Sequence, residues 1–331
     1  MPLKIAINGF GRIGRCAARI VMEREDMELT AVNDPADAKT LAYLAEHDSV
    51  HGLAPWPVRA ENGSLFFGEH RAVLTHETRP ESTGFSGADV VLECSGRFLT
   101  SEAVRCHLER GVKRVLFSAP AEDDTPTFVL GVNADDYAGE RIVSNASCTT
   151  NCLAPIAGIL DERYGIESGL MTTIHAYTGG QSLTDAPVSK DPRRCRAAAV
   201  SMVPTTTHAA AAVYKVLPQL RGRLHGRSVR VPTADVSLMD LNLVLRRETT
   251  AEEVNAVLKA ASEGPLAGIL GFDERFGVSQ DFAGDSRSAV VAADLTQIIG
   301  GRHLKVMAWY DNEWGYANRL IEMAGHISEV I

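Results

Sequence analysis

The chain has 331 residues, a formal net charge of −9, 45% apolar residues and 23% charged ones. That length allows about two domains at ~150 residues each, and the composition suits a globular protein with a sizeable core. The acidic balance argues against a general nucleic-acid footprint, and no run of ~18 apolar residues offers a membrane span.

Lys4 to Asn8 reads as a short apolar strand that runs into Gly9-Phe10-Gly11-Arg12-Ile13-Gly14, with a helix-compatible stretch from Arg15 to Glu23. The start lacks the apolar stretch of a signal peptide, so a cytoplasmic location is expected. A second strand, Leu29 to Asn33, ends in Asp34, which lies 20 positions beyond Gly14. Strand, glycines, helix, strand and acid in this order predict a dinucleotide site. The glycines let backbone approach a pyrophosphate, the helix start supplies N–H groups, and the carboxylate accepts from a ribose hydroxyl. Gly9, Gly11, Arg12, Ile13, Gly14 and Asp34 are therefore candidate cofactor residues. Asp34 would repel a 2′-phosphate, which favours NAD over NADP.

Further strands are expected at Asp89 to Cys94, Val112 to Phe117, Thr127 to Val132 and Ile142 to Ser144, with a helix at Glu102 to Arg110. This alternation implies a Rossmann-type doubly wound parallel sheet, with ligands at the carboxyl ends of its strands. Ser95, Gly96 and Ser118 fall at such ends.

Ser144-Asn145-Ala146-Ser147-Cys148-Thr149-Thr150-Asn151-Cys152 then leads into a helix-like stretch from Leu153 to Tyr164. The six cysteines, at 16, 94, 106, 148, 152 and 195, show no metal-ligand spacing, so they read as reduced thiols with no metal site. A lone cysteine at a strand-to-helix turn is usually a small buried apolar residue. If Cys148 opens the helix, however, free N–H groups and the dipole favour its thiolate and an oxyanion formed beside it. His175 follows a strand, Leu170 to Ile174, and could serve as the base of a Cys–His pair. Arg193, Arg194 and Arg196 suggest an anion site or an intersubunit ion pair. Thr205, Thr206 and Thr207 precede an alanine-rich helix (209 to 217) and could cap it or bind phosphate. Arg230 stands alone in an apolar strand and needs an anion or solvent. Strands at Val236 to Leu245, Ser288 to Asp294 and Leu304 to Tyr310 follow. Helices are expected at Ala251 to Ser262, with a Thr250–Glu253 capping box, and at Asn312 to Ile331. The expected fold class is α/β. A Rossmann domain (residues 1–147) precedes an α+β catalytic domain (148–311) with a mostly antiparallel sheet.

Ile7 through Arg15, Ser144 through Cys152, Thr172 through Thr178, Arg230 through Thr233 and Trp309 through Glu313 together resemble the phosphorylating glyceraldehyde-3-phosphate dehydrogenase family, and the resemblance runs end to end. It implies NAD as cofactor, Cys148 as nucleophile and His175 as base. It assigns Thr178 and Arg230 to the substrate phosphate, and Ser147, Thr149, Arg194 and Thr207 to inorganic phosphate. Asn312 matches the residue that orients the nicotinamide carboxamide, with Tyr316 beside it, and Pro187 matches NAD-using members. The activity implied is oxidation of glyceraldehyde 3-phosphate with NAD and phosphate to 1,3-bisphosphoglycerate and NADH, through a Cys148 thioester, in glycolysis or gluconeogenesis. The resemblance also implies a homotetramer and a C-terminal helix (312–331) packed on the cofactor domain. The chain departs from the pattern at His208, where glycine is usual, beside the expected inorganic-phosphate site. Competing readings are erythrose-4-phosphate oxidation, an arsenate-linked variant, and a non-enzymatic role in binding RNA or protein. The intact Cys148 and His175 and the acidic charge place nucleic acid outside the primary partners.

Overall fold

The computed structural model describes residues 1–207 and 209–329, with the backbone alone for residues 209–211. The chain divides into two compact units. One comprises Met1–Phe128, Asp136–Ala146 and Ala317–Ile331; the other comprises Val129–Asp135 and Ser147–Tyr316.

The first unit begins with β1 (Leu3–Asn8), α1 (Arg12–Met22), β2 (Met27–Asn33) and α2 (Ala38–Glu46), followed by a two-residue pair, β3 (His47–Asp48) and β4 (Gly52–Leu53). Then come β5 (Val58–Glu61), β6 (Ser64–Phe67), β7 (His70–Thr75), β8 (Val90–Glu93), α3 (Ser101–Glu109), β9 (Arg114–Phe117) and β10 (Ile142–Ser144). Eight strands form one sheet in the order β10-β9-β8-β1-β2-β7-β6-β5. The stretch from β10 to β7 is parallel, and β5 and β6 add an antiparallel edge. Parallel strands are covered on both faces, so they read as near-continuous apolar runs. Accordingly, Ile5, Ile7, Val90, Val91, Leu92, Val115 and Leu116 are all fully buried. The antiparallel edge has a local cause that the βα alternation does not reveal. Asn62 and Gly63 both take positive φ, 48° and 70°, in a tight hairpin turn. From Ala317 onward, Leu320, Met323 and Ala324 of the last helix and Ile327 just after it are buried in this unit.

One expected strand is absent. Of Thr127 to Val132, only Thr127 makes a bridge, to Ser144. The rest turns instead: Asn133 Oδ1 accepts from the Val129 N–H, and Gly131 takes φ of 75°. A local side-chain bond here competes with the ladder and wins.

The second unit contains α4 (Cys148–Tyr164), β11 (Ile166–Ala176), β12 (Val203–Thr205), α5 (Ala209–Val216), β13 (Leu224–Val231), β14 (Ser237–Leu245) and α6 (Ala251–Glu263). It continues with β15 (Leu270–Asp273), β16 (Ala289–Ala292), β17 (Gln297–Ile299), β18 (His303–Tyr310) and the start of α7 (Trp314–His326). The sheet order is β12-β13-β11-β14-β18-β16-β15, with β17 on β18. Its pairs are antiparallel except β11 with β13 and β15 with β16. α4 starts one turn earlier than the apolar run suggests, because Ser147 caps it: its Oγ accepts from the Thr150 N–H at 3.1 Å. α6 carries the expected capping box between Thr250 and Glu253. α7 is shorter than expected at both ends, and residues 330–331 lie outside the described residues.

Candidate active site

Two clusters of candidate residues form, one in each unit. The first lies at the carboxyl ends of β1, β2 and β8. Gly9 takes φ of 92°, and a Cβ there would sit 2.4 Å from the Ser95 backbone nitrogen. A Cβ at Gly14 would sit 2.2 Å from the Gly9 carbonyl oxygen. These two glycines are required by close backbone packing. Gly11 differs: a Cβ there meets nothing within 4 Å. It is the N-cap of α1 and contributes no side-chain cap, so the first-turn N–H groups face open space suited to an anion.

A cavity of about 190 Å³ lies here, and Gly9, Gly11, Asp34 and Ser95 are among its lining residues. Asp34 is held at both oxygens, Oδ2 by the Phe10 N–H and Oδ1 by the Ala36 N–H, each near 3 Å. Its remaining lone pairs are available to a hydroxyl. These features fit a dinucleotide. Arg12 pairs with Asp48 at 2.5 Å. Burial pushes the Asp48 carboxyl up, but the His51 N–H and the Arg12 guanidinium hold it near 2. Ser118 Oγ donates to the Glu93 carbonyl at 3.0 Å, and Gly96 makes the turn after β8 with φ of 66°. Ile13 is half-buried in the first turn of α1.

The second cluster forms where α4 begins beside the end of β11. Cys148 is the first residue of α4, and its Sγ lies 3.6 Å from His175 Nε2. His175 is paired in register with Arg230 on β13. Arg230 Nη1 lies 2.7 Å from His175 Nδ1 and donates to the Ala176 carbonyl at 3.1 Å. His175 Nδ1 is also 2.7 Å from that carbonyl. A guanidinium only donates and a carbonyl only accepts, so the two contacts at Nδ1 belong to opposite tautomers. With Nδ1–H on the carbonyl, Nε2 is a free base facing Cys148.

Burial pushes the Cys148 thiol above its usual range, although Arg230 and Thr149 oppose it. Burial, then the Arg230 cation, lower the His175 imidazole to about 3. Burial thus opposes charge on both groups in the absence of substrate.

Thr149 Oγ1 hydrogen-bonds the Tyr310 hydroxyl at 2.9 Å, and that hydroxyl also meets Thr173 Oγ1 at 2.6 Å. Asn312 Oδ1 accepts from Ser237 Oγ at 2.6 Å, while Ser237 Oγ accepts from the Ala176 N–H at 3.1 Å. Tyr316 is buried. Arg194 binds Thr205 Oγ1 through Nε and Nη2 at 3.1 and 2.9 Å. Arg196 forms an exposed ion pair with Asp185 at 2.8 Å. Thr178 N–H reaches Gln181 Oε1 at 3.4 Å, and Thr207 is half-buried. His208 lies outside the described residues. The structure thus joins Cys148, His175 and Arg230 by direct contact, and draws in Thr149 through Tyr310. Tyr310 and Ser237 were not legible as site residues, because alternating strand positions carry no mark of which hydroxyl ends beside a cysteine.

Residues 3–101 match the family described as glyceraldehyde 3-phosphate dehydrogenase, NAD binding domain, and residues 147–312 match its C-terminal domain. Glyceraldehyde-3-phosphate dehydrogenase of Geobacillus stearothermophilus is 48% identical over 332 residues, covering 99% of each chain. Glyceraldehyde-3-phosphate dehydrogenase 1 of Bacillus cereus is 48% identical over 98% of each chain. The cytosolic glyceraldehyde-3-phosphate dehydrogenase of Antirrhinum majus is 46% identical over 99% of each. With nearly half its residues shared along its whole length, and with both domain matches in chain order, this chain belongs to the glyceraldehyde-3-phosphate dehydrogenase family.

Proposed function

We propose that the protein oxidises D-glyceraldehyde 3-phosphate with NAD and inorganic phosphate, giving 1,3-bisphosphoglycerate and NADH through a thioester on Cys148. The observation that carries this reading is the 3.6 Å approach of Cys148 Sγ to His175 Nε2 at the start of α4, with Arg230 beside the pair. As Cys148 attacks the aldehyde carbon, its proton passes to His175 Nε2. Transfer creates the two charges together, so each offsets the cost of burying the other. The oxyanion forms against the Cys148 N–H at the helix start and takes the proton from His175.

NAD, when bound, supplies the hydride acceptor. Gly9, Gly11, Arg12, Ile13, Gly14, Asp34, Ser95, Gly96 and Ser118 would hold it, and the family resemblance assigns Asn312 and Tyr316 to its nicotinamide. His175 takes the hemithioacetal hydroxyl proton as the carbon is oxidised, which leaves the thioester. Phosphate attacks the thioester carbonyl and expels the Cys148 thiolate as the acyl phosphate departs. Thr178 and Arg230 serve the substrate phosphate, whereas Ser147, Thr149, Arg194 and Thr207 serve the attacking one, with His208 next to them in the chain where the family usually has glycine.

The working form in this reading is a homotetramer. Leu170 and Ile299 are exposed apolar side chains lining a cavity of about 400 Å³ over the second sheet, a surface suited to another copy. Among the described residues, no helix is long and apolar enough to cross a membrane, and we place the enzyme in the cytoplasm. The test is NADH formation from glyceraldehyde 3-phosphate and NAD, with and without phosphate. Parallel arms replace the aldehyde by erythrose 4-phosphate, NAD by NADP and phosphate by arsenate. Phosphate-dependent turnover with NAD supports the reading, and its absence in that arm removes it.

A further inference from the structure

Beneath the dinucleotide cavity, the ends of four neighbouring strands carry polar side chains in matching register. Asn8 ends β1, Asn33 ends β2, Thr75 ends β7 and Glu93 ends β8. Asn8 is paired with Asn33 on one side and with Glu93 on the other, and Asn33 is paired with Thr75. Side chains at paired positions of adjacent strands point to the same face, so these four stand in a row.

The row is bonded along its length. Glu93 Oε1 accepts from the Ser95 N–H at 2.9 Å and from Ser95 Oγ at 2.5 Å. Glu93 Oε2 accepts from Asn8 Nδ2 at 2.6 Å. Asn8 Oδ1 accepts from Asn33 Nδ2 at 2.8 Å, and that nitrogen also donates to the Glu77 carbonyl at 3.0 Å. Asn33 Oδ1 accepts from Thr75 Oγ1 and from the Glu77 N–H, each at 2.8 Å. Asn8, Asn33 and Glu93 are 2, 3 and 0% exposed.

The row has a direction. Burial raises the Glu93 carboxyl, while the Ser95 and Asn8 donors oppose that rise; as a carboxylate it only accepts, so Asn8 presents its nitrogen to Glu93 and its oxygen to Asn33. At the other end the Glu77 carbonyl only accepts and its N–H only donates, so Asn33 presents its nitrogen to Asn8 and its oxygen to Thr75 and Glu77. The Glu93 carboxylate at one end and the Glu77 backbone at the other therefore demand the same two amide orientations across three strands. The ends of the row are Ser95 and Glu77, and both line the dinucleotide cavity, as do Asn8 and Asn33. Ser95 is also the residue against which the Gly9 backbone packs.

We infer that Glu93 is a positioning residue for the dinucleotide: through the Asn8–Asn33 row it holds the Ser95 and Glu77 sides of the cavity in the binding geometry without touching the ligand. The inference rests on the dinucleotide reading of that cavity.

The direction of the row supplies the test. In Glu93→Gln, one carboxylate oxygen becomes an NH₂. If the introduced amide keeps its oxygen on Ser95, its nitrogen meets the Asn8 nitrogen. If Asn8 turns to accept, its nitrogen meets the Asn33 nitrogen. Some buried donor is left unpaired in either case. The double variant Asn8→Asp with Glu93→Gln repairs every bond. The amide at position 93 accepts from Ser95 and donates to position 8, where the new carboxylate accepts from that amide and from Asn33. NAD titrated calorimetrically into the purified full chain should show a Kd raised about tenfold or more in Glu93→Gln, with recovery to within about threefold in the double variant. The kcat at saturating NAD and the rate of Cys148 alkylation by iodoacetamide should stay near wild type in both. A wild-type Kd in Glu93→Gln overturns the inference, as does a double variant no better than the single. Should Glu93→Gln not fold, recovery of fold and affinity in the double variant supports the directed row, and failure of both variants overturns it. Absence of NAD binding by the wild type would instead overturn the reading on which the inference rests.

Discussion

The two clusters treat buried polarity in opposite ways. Around Gly9, Asp34 and Glu93, nearly every polar atom has a fixed partner: Asp34 is held by two backbone N–H groups, and Glu93 by three donors. Around Cys148, the groups that matter are left in tension. His175 Nδ1 faces both a guanidinium and a carbonyl, and burial opposes charge on the thiol and the imidazole alike. A site that only has to recognise a ligand gains from being finished before the ligand arrives. A site that has to move a proton needs groups whose charge state changes at small cost once substrate is present.

The contrast breaks most severely at the nucleophile. Cys148→Ser is expected to reduce NADH formation about 10⁴-fold or more while leaving the Kd for NAD unchanged, as read by steady-state kinetics and NAD titration. Full activity in that variant would remove Cys148 from its role. His175→Asn should cost about 10²–10⁴-fold in kcat, and iodoacetamide should alkylate Cys148 more slowly. Stability carries a second signature of this residue. Its folded-state value of about 3 lies below the ordinary 6.5. Its contribution is therefore fully present above pH 6.5 and is lost as pH falls towards 3, because the unfolded chain binds the proton first. Acid melting curves of His175→Asn should show a gentler loss over that window, and parallel curves would contradict the assignment.

Arg230→Leu sharpens the comparison next. We expect the KM for the aldehyde phosphate to rise about tenfold or more, since a charge-assisted bond to an anion is lost. The His175 pKa should move upward when the neighbouring cation is removed, a shift readable in the pH dependence of Cys148 alkylation. An unchanged KM would assign Arg230 to the base alone. The smallest effect is expected at Tyr310→Phe, which leaves Thr149 and Thr173 without their shared partner. It should cost about 1 kcal/mol of stability by denaturant unfolding and raise the phosphate KM several-fold. A change in stability with no change in phosphate KM would make Tyr310 structural only.

The cofactor unit was the more legible of the two because its requirements are local. A tight turn, a close backbone approach and an acid at the end of the next strand each demand a residue type at a set spacing, so Gly9, Gly14 and Asp34 could be read in order. The antiparallel edge was missed although Asn62-Gly63 announces a hairpin, because a short period-2 segment is easily lost inside a βα alternation. The expected strand at Thr127 to Val132 failed because a side-chain turn at Asn133 outcompeted the ladder. In the second unit, Cys148 and His175 stood out only as residues of the right chemistry, 27 positions apart. Their approach depends on α4 starting beside the end of β11, which no spacing rule states.

What the sequence determined by itself is whatever steric need or chain order dictates within a few residues: the glycine turn, the capped starts of α4 and α6, the alternation that builds a parallel sheet. What only the tertiary structure decided is which side chains share a space. Strand register set Asn8 between Asn33 and Glu93 and Arg230 beside His175, and the packing of α4 on β11 and β18 set the Tyr310 hydroxyl between Thr149 and Thr173. The reason is physical. Backbone conformation responds to immediate neighbours, whereas hydrogen-bond direction and the cost of a buried charge depend on groups brought close by packing, however far apart they lie along the chain.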